Sequence, residues 1–527
     1  MCKVVLLAIN SKYVHTALSV RVIAAGIREY ARLPHEVTIV EATIHNPLTE
    51  VADSVAEGCP DVVGISTYIW NAEWLTGFLP LLREKLPGAL FVLGGPEASF
   101  NADYWLMQGA DHVLPGEGEY TFPAFLDNAP LPSPGPQLAE VSSAPVDPYP
   151  DVDPGSLSDR ILYLETSRGC PFKCAFCLSA GSGVRFFPID FAKHQLYKLS
   201  RSGARTVKLV DRTFNCNADR AYELFEYVIE MDTECRFHFE VAADLFDEKA
   251  ISLLRTAPPG RIQFEAGLQS FYMPAIDAVS RKTDLDKSER NIRALLLSGN
   301  IHVHVDLIAG LPHESMGDFM DSFDRAYSLG AHTLQLGFLK LLHGSALRGQ
   351  AETLGIEFSE EPPYEILSSP WLSAEDIISL KQTENALQHT YNKGRFLSAL
   401  EYVFAVSGLR PFSLFNGIGK SSPNHGADLT VYAGQFFDFC AGLPNVDKNE
   451  LCDRMLCDWL SMVKGKNMPH FLRKPDDRSA RVLDAAGKRL GRVLRRDEAA
   501  SLLSGKCVFV DSENRDPVTG LYKVEMF

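Results

Sequence analysis

Short runs of Val, Ile and Leu recur along the first quarter of the chain, separated by stretches with helical spacing. "KVVLLAI" (3–9), "EVTIVEA" (36–42), "DVVGIST" (61–67), "LFVLGG" (90–95) and "DHVLPGEGE" (111–119) read as strands. Their apolar residues do not alternate with polar ones, so both faces should be buried, as in a parallel sheet covered by helices on each side. Gly, Ser and Thr gather at the strand ends, where doubly wound sheets bind ligands. Residues 1–128 are therefore expected to form one doubly wound domain, and 129–159, dense in proline and serine, a linker.

A second α/β series opens at "ILYLETSRGC" (161–170) and continues through "TVKLVDRTF" (206–214), "FHFEVAAD" (237–244), "RIQFEAGLQS" (261–270), "IHVHVDLIAGLP" (301–312) and "HTLQLGFLKLL" (332–342). Six strands with helices between them, each ending in polar residues, predict a partial barrel over 160–348 with its chemistry at the strands' carboxyl ends. From 349 the pattern turns helical. A capping-box pair, Ser373 and Asp376, starts one helical stretch over 373–406, and a second covers 434–463. A helical domain (349–468) and a small α/β tail (469–527) complete the expected order.

Composition narrows the function classes. An apolar fraction of 46% is that of a globular protein, and no apolar run approaches the roughly 20 residues of a membrane span. "MCKVVLLAIN" reads as a first buried strand and not as a signal peptide. The expected location is cytoplasmic, where eleven cysteines favour metal binding over disulfides. A net charge of −16 argues against a nucleic-acid partner. The basic stretch 464–496 is interleaved with Asp476, Asp477, Asp484 and Asp497, and reads as a solvated face.

The densest chemistry is "RGCPFKCAFC" (168–177), with Cys170, Cys174 and Cys177 directly after the first strand of the second series. Zinc wants a fourth Cys or His, and none is near. A redox pair, Cys174 and Cys177, leaves Cys170 unexplained. Buried structural thiols are a further reading. A cubane cluster on three thiolates leaves one iron open to bind and reduce a small molecule. Phe172 and Phe176 would shield such a cluster, or pack as ordinary core.

Cys-x-x-x-Cys-x-x-Cys at this place in a six-unit βα series resembles the radical S-adenosylmethionine (SAM) superfamily. The resemblance implies a 4Fe-4S cluster on Cys170, Cys174 and Cys177, and reductive cleavage of SAM to a 5′-deoxyadenosyl radical. "FEAGLQSF" and "VDLIAGLPHE" are similar to later strands of that superfamily, which implies SAM contacts at Glu240, Gln269, Arg281 and Asp306. The glycine-rich stretch usual on the second strand is replaced by "VDRTFN", where Asp211 and Thr213 are the candidate substitutes. Cys216, just beyond, leaves open a reach toward substrate. Cys440, Cys452 and Cys457 read as core.

A five-strand domain ahead of such a barrel resembles the cobalamin-binding subgroup. "VGIST", "LGGPE" and "PGEGE" match its three strand-end loops, which implies Ser66, Thr67, Gly94, Gly95, Gly116 and Glu117 at the cobalamin. The Asp-x-His-x-x-Gly motif for a lower cobalt ligand is absent, and His15 in "NSKYVHTALSV" reads as structural. The implied activity is methylation of an unactivated carbon of a small-molecule or natural-product-like substrate, with an electron donor such as flavodoxin or ferredoxin. Three rivals stand beside it: a cobalamin-assisted rearrangement, cyclisation or oxidation; a methylthiotransferase acting on tRNA or protein; and a non-catalytic cobalamin or SAM sensor. A methylthiotransferase needs three cluster cysteines in the first domain, which has only Cys2 and Cys59. The 349–527 region, without a motif, is expected to line the substrate entrance.

Overall fold

The computed structural model describes residues 2–128, 145–150, 155, 157–422, 428–462, 468–472, 477–495 and 498–526. Most of the expected linker and part of the basic stretch lie outside the described residues.

Strands β1 (Cys2–Asn10), β2 (His35–Thr43), β3 (Val62–Ser66), β4 (Leu90–Gly94) and β5 (His112–Leu114) form a parallel sheet in the order β2-β1-β3-β4-β5. Side chains alternate between its two faces. Val5, Leu7 and Ile9 enter one core with Ile65 and Phe78, whereas Val4, Leu6 and Ala8 enter the other with Val20 and Ile27. The chain order reverses between β1 and β3, which opens a crevice at their carboxyl ends.

The second sheet is also parallel, with order β13-β12-β11-β10-β9-β6. Its strands are β6 (Ile161–Leu164), β9 (Thr206–Leu209), β10 (Arg236–Val241), β11 (Ile262–Gln269), β12 (His302–Ala309) and β13 (Thr333–Phe338). The stretch 161–170 is not one strand. It breaks at Glu165–Thr166, and β7 (Ser167–Cys170) turns out to pair antiparallel with β8 (Gly183–Phe186), so the cluster loop lies in a hairpin. Burial alternates along β10, β11 and β12. Phe237, Phe239, Phe264, Val303 and Val305 pack in the main apolar core. The intervening Lys208, His238, Glu240, Glu265, His304 and Asp306 are only partly buried and contact one another.

Six strands leave two edges, and both are covered. At β6, Ile161 N donates to Val14 O at 2.7 Å, and Thr16 N donates back to Ile161 O at 3.2 Å. At β13, Leu334 N donates to Asn392 Oδ1 at 2.9 Å while Asn392 Nδ2 donates to Leu334 O at 2.8 Å.

The helical region starts with the expected capping box at Ser373 and Asp376. The expected single stretch 373–406 is two helices, Ala374–His389 and Leu397–Ser407. Gly394 and Phe396 take left-handed backbone between them and turn the chain. Cys440, Cys452 and Cys457 pack in the apolar core, as expected. In the tail, strands Cys507–Arg515 and Tyr522–Met526 are joined by a turn that tucks under the barrel. Arg236 Nη2 donates to Pro517 O at 3.0 Å, and His302 Nδ1 lies 3.0 Å from Val518 O. No helix among the described residues is long and apolar enough to cross a membrane.

Candidate cofactor site

A cavity of about 750 Å³ lies between the carboxyl ends of the two sheets. Asn10, Ser66, Gly94 and Gly116 line it from the first domain, and Tyr163, Lys208, Arg212 and Glu240 from the barrel. Leu342 and His343 add a third wall. No described residue of 349–526 lines it.

The cysteine loop is anchored on all sides. Gly169 has φ of 95°, and a Cβ there would sit 2.0 Å from Gly183 O, so only glycine lets the hairpin close. Cys170 N donates to Ser182 Oγ at 3.2 Å, and Ala175 N to Val279 O at 2.9 Å. Cys170 and Cys174 are buried and Cys177 is half-buried. Thr213 Oγ1 lies 3.6 Å from Cys170 Sγ, and Arg281 Nη1 lies 3.7 Å from Cys174 Sγ. Burial pushes the Cys174 thiol up, and the Arg281 guanidinium opposes that shift. Three thiols with a guanidinium at one of them fit an anionic cluster.

Beside the loop, β11 carries a bulge between Gly267 and Gln269. Gln269 has φ of 72°, and its amide folds back so far that a Cβ on Gly267 would lie 2.3 Å from its Nε2. Arg281 Nη2 donates to Gly267 O. Gln269 Oε1 and Arg281 Nε are buried without a hydrogen-bond partner, next to the cluster loop. Unpaired buried polar atoms are costly, and these two fit a polar ligand such as the SAM carboxylate and amine. Glu240 reaches the cavity with Lys208 Nζ at 3.6 Å, and burial raises its pKa against that lysine. Asp306 Oδ1 lies 2.9 Å from His304 Nε2 without aligning as a hydrogen bond. Burial disfavours the His304 cation, but Asp306 and Glu265 outweigh it and the pKa rises.

Two expected ligand contacts are taken up by the protein. Asp211 accepts from Thr166 N at 3.0 Å, Thr166 Oγ1 at 2.7 Å and Ser167 Oγ at 2.6 Å. It fixes the start of the hairpin, and burial lifts its pKa to about 6. Thr67 is fully buried, donates to Gly94 O at 2.7 Å and accepts from Ala98 N at 2.9 Å; this correction gives it a structural task, tying β3 to β4.

Glu117 borders the cavity within an ion-pair network that sequence reasoning missed. Arg168, two residues before Cys170, meets Glu165 at 2.6 Å, Glu119 at 2.7 Å and Glu117 at 3.0 Å, and Arg185 meets Glu117 at 2.6 Å. Burial favours neutral Arg168, but the three carboxylates dominate and hold its pKa well above the usual guanidinium range. Ser66, Gly94, Gly95 and Gly116 line the cavity. Gly95 has φ of 97°, and a Cβ there would be 2.5 Å from Thr67 O. Gly94 leaves bare backbone, its nearest neighbour to a Cβ being Leu114 O at 3.5 Å, which fits a large ligand resting on that turn. His15 also lines the cavity, and its Nδ1 lies 2.7 Å from Tyr163 OH. Cys216 lies close enough to Cys170 for their charges to interact.

Residues 4–126 match the B12 binding domain family and residues 164–326 the radical SAM superfamily. This chain carries a B12-binding domain followed by a radical SAM domain. Residues 352–494 match a family described as "Protein of unknown function (DUF4080)". The cobalamin-dependent radical SAM methyltransferase TokK of Streptomyces tokunonensis is 23% identical over 452 residues, 78% of this chain and 65% of that protein. A 2-(S-pantetheinyl)-carbapenam-3-carboxylate methyltransferase of Streptantibioticus cattleyicolor is 23% identical over 316 residues, 52% of this chain and 46% of that protein. The chain thus spans less than two thirds of the length of these two relatives. Two solved structures share the fold. The methyltransferase TsrM from Kitasatospora setae aligns with a TM-score of 0.55 at 15% identity, covering 69% of this chain and 80% of that one. The cobalamin-dependent radical enzyme OxsB aligns at 0.58 and 13%, covering 86% and 78%. The two domain matches imply a 4Fe-4S cluster, SAM and cobalamin as cofactors.

Proposed function

We propose that this radical SAM protein methylates an unactivated carbon of a small-molecule substrate, drawing its electron from a donor such as flavodoxin or ferredoxin. The observation that carries this reading is a cavity of about 750 Å³ walled by both the first domain's sheet edge and the barrel mouth. When bound, the cofactors supply hydrogen abstraction from carbon and a methyl group. Cys170, Cys174 and Cys177 hold the cluster; Gln269 and Arg281 orient the SAM amino-acid end, and Glu240 and Asp306 accept from its hydroxyl or ammonium groups. The closed hairpin and the packed Phe176 keep water from the cysteines. A methylthiotransferase reading is disfavoured by position as well as count. Cys2 begins β1 and Cys59 precedes β3, so both sit at the amino edge, opposite the cavity.

Two predictions test this function. Asp306→Asn and Gln269→Ala should each weaken SAM binding by roughly 5- to 150-fold, the worth of one hydrogen bond to a partly buried polar ligand of about 1–3 kcal/mol, with the cluster still assembled. Equilibrium binding of SAM checks it, and unchanged affinity in both variants returns these residues to barrel packing. Anaerobically reconstituted full-length protein should retain about one equivalent of corrinoid after desalting. Gly94→Val should lose most of it while keeping iron and sulfide, because its Cβ meets only ordinary protein contacts and the added methyls would occupy ligand space. Wild-type protein that cleaves SAM but holds no corrinoid would end the methylation reading.

A further inference from the structure

None of the described residues of the C-terminal region lines the cavity, yet one of them grips its wall. Tyr364 is almost fully buried at 3% exposure and donates from its hydroxyl to Glu97 Oε1 at 2.5 Å. Its φ of 59° is a left-handed conformation that a tyrosine holds only where the surroundings impose it. Those surroundings are specific. Leu341 N donates to Tyr364 O at 2.9 Å, the ring meets His343 edge-on at 4.9 Å, and the Arg348 guanidinium sits 5.0 Å from the ring centroid.

The other end of this contact belongs to the cavity. Glu97 and His343 both line it, and Glu97 directly follows Gly94, Gly95 and Pro96 in the helix Pro96–Phe100. The loop that carries His343 is pressed onto that helix: a Cβ on Gly344 would lie 2.2 Å from the Phe100 ring. Glu97 is itself 3% exposed. The Tyr364–Glu97 pair therefore joins residues 267 positions apart across a contact with no slack.

We propose that Tyr364 is the positioning residue through which the C-terminal region sets the shape of the cobalamin cavity. Its hydroxyl pins Glu97, and Glu97 holds the Gly94–Gly95 turn on which the ligand rests. This inference depends on the cobalamin reading of the first domain. It gives the 352–494 family region a task that needs no chemistry of its own: it clasps the ligand-bearing turn from outside the cavity.

The test uses full-length protein with reconstituted cluster, loaded with hydroxocobalamin, and follows release of the cobalamin after dilution. Tyr364→Phe should release it about tenfold faster, the worth of one buried hydrogen bond, with iron, sulfide and SAM affinity at wild-type values. Glu97→Gln still offers an acceptor oxygen and should release more slowly than Glu97→Leu, which should match Tyr364→Phe. The double variant Tyr364→Phe/Glu97→Leu should be no faster than either single one, because both remove the same contact. A wild-type release rate in Tyr364→Phe, or additive effects in the double variant, overturns the proposal. If Tyr364→Phe fails to assemble its cluster, the Glu97→Gln and Glu97→Leu comparison decides alone, and equal rates in those two overturn it. Wild-type protein that holds no cobalamin removes the cobalamin reading itself, and the clasp with it.

Discussion

Replacing Cys170, Cys174 and Cys177 together by alanine is expected to abolish the cubane absorption and electron paramagnetic resonance signals of reconstituted protein, and SAM cleavage with them. No other three described cysteines are placed to take over. Cys216 lies near Cys170 but stands alone there, and Cys440, Cys452 and Cys457 are packed in the apolar core, where burial pushes the Cys457 thiol up to about 12 and Cys440 higher still. Iron and sulfide analysis of the triple variant is the direct measurement. Contents near those of wild type would move the cluster to another set of cysteines.

Arg168→Met should cost about 3–5 kcal/mol, the penalty for leaving the buried Glu119 carboxylate without its cation while Glu117 keeps Arg185. Glu119 has a side chain only 8% exposed, so water cannot replace the guanidinium there. The loss should be concentrated where the network joins the two domains. Hydrogen exchange of 112–119 and 167–186 should accelerate together, while the far ends of the helical region stay protected. Adding Glu119→Gln should restore part of the loss, because it removes one of the stranded charges. An Arg168→Met protein with wild-type protection in both segments would show that the network contributes nothing.

The strands of both sheets were legible because their patterns are strong. Unbroken Val and Ile runs marked β1 and β3, and the cysteine spacing marked the loop after the first barrel strand. The cluster hairpin was not legible: Ser167–Arg168–Gly169–Cys170 has no strand periodicity, and its pairing depends on Gly169 meeting Gly183 from fourteen residues away. Nor did composition reveal that Asp211 and Thr67 spend their polar atoms on the protein; a residue type and a strand end do not say which way a side chain turns. Arg168 was hidden for a related reason, since its partners Glu117 and Glu119 are about fifty positions upstream. One local signal was available and unused. "FHFE" and "HVHVD" alternate apolar with ionisable residues, which already separates the packed face of the barrel from the polar one that carries Glu240 and Asp306.

The two covered edges of the six-stranded sheet bear on how this chain can be divided. A strand edge left bare is a template for pairing with another chain. Here one edge is occupied by the segment around Val14 and Thr16, from the first domain, and the other by Asn392, from the region beyond the barrel. A barrel cut out at its apparent boundaries would lose both covers at once and present two sticky flanks to its neighbours. Exchanging either flanking region between relatives faces the same constraint, because the donor must bring a segment that fits the recipient's edge. The three parts of this protein are separable on paper, but they share their hydrogen bonds, and they should be inherited, expressed and engineered as one piece.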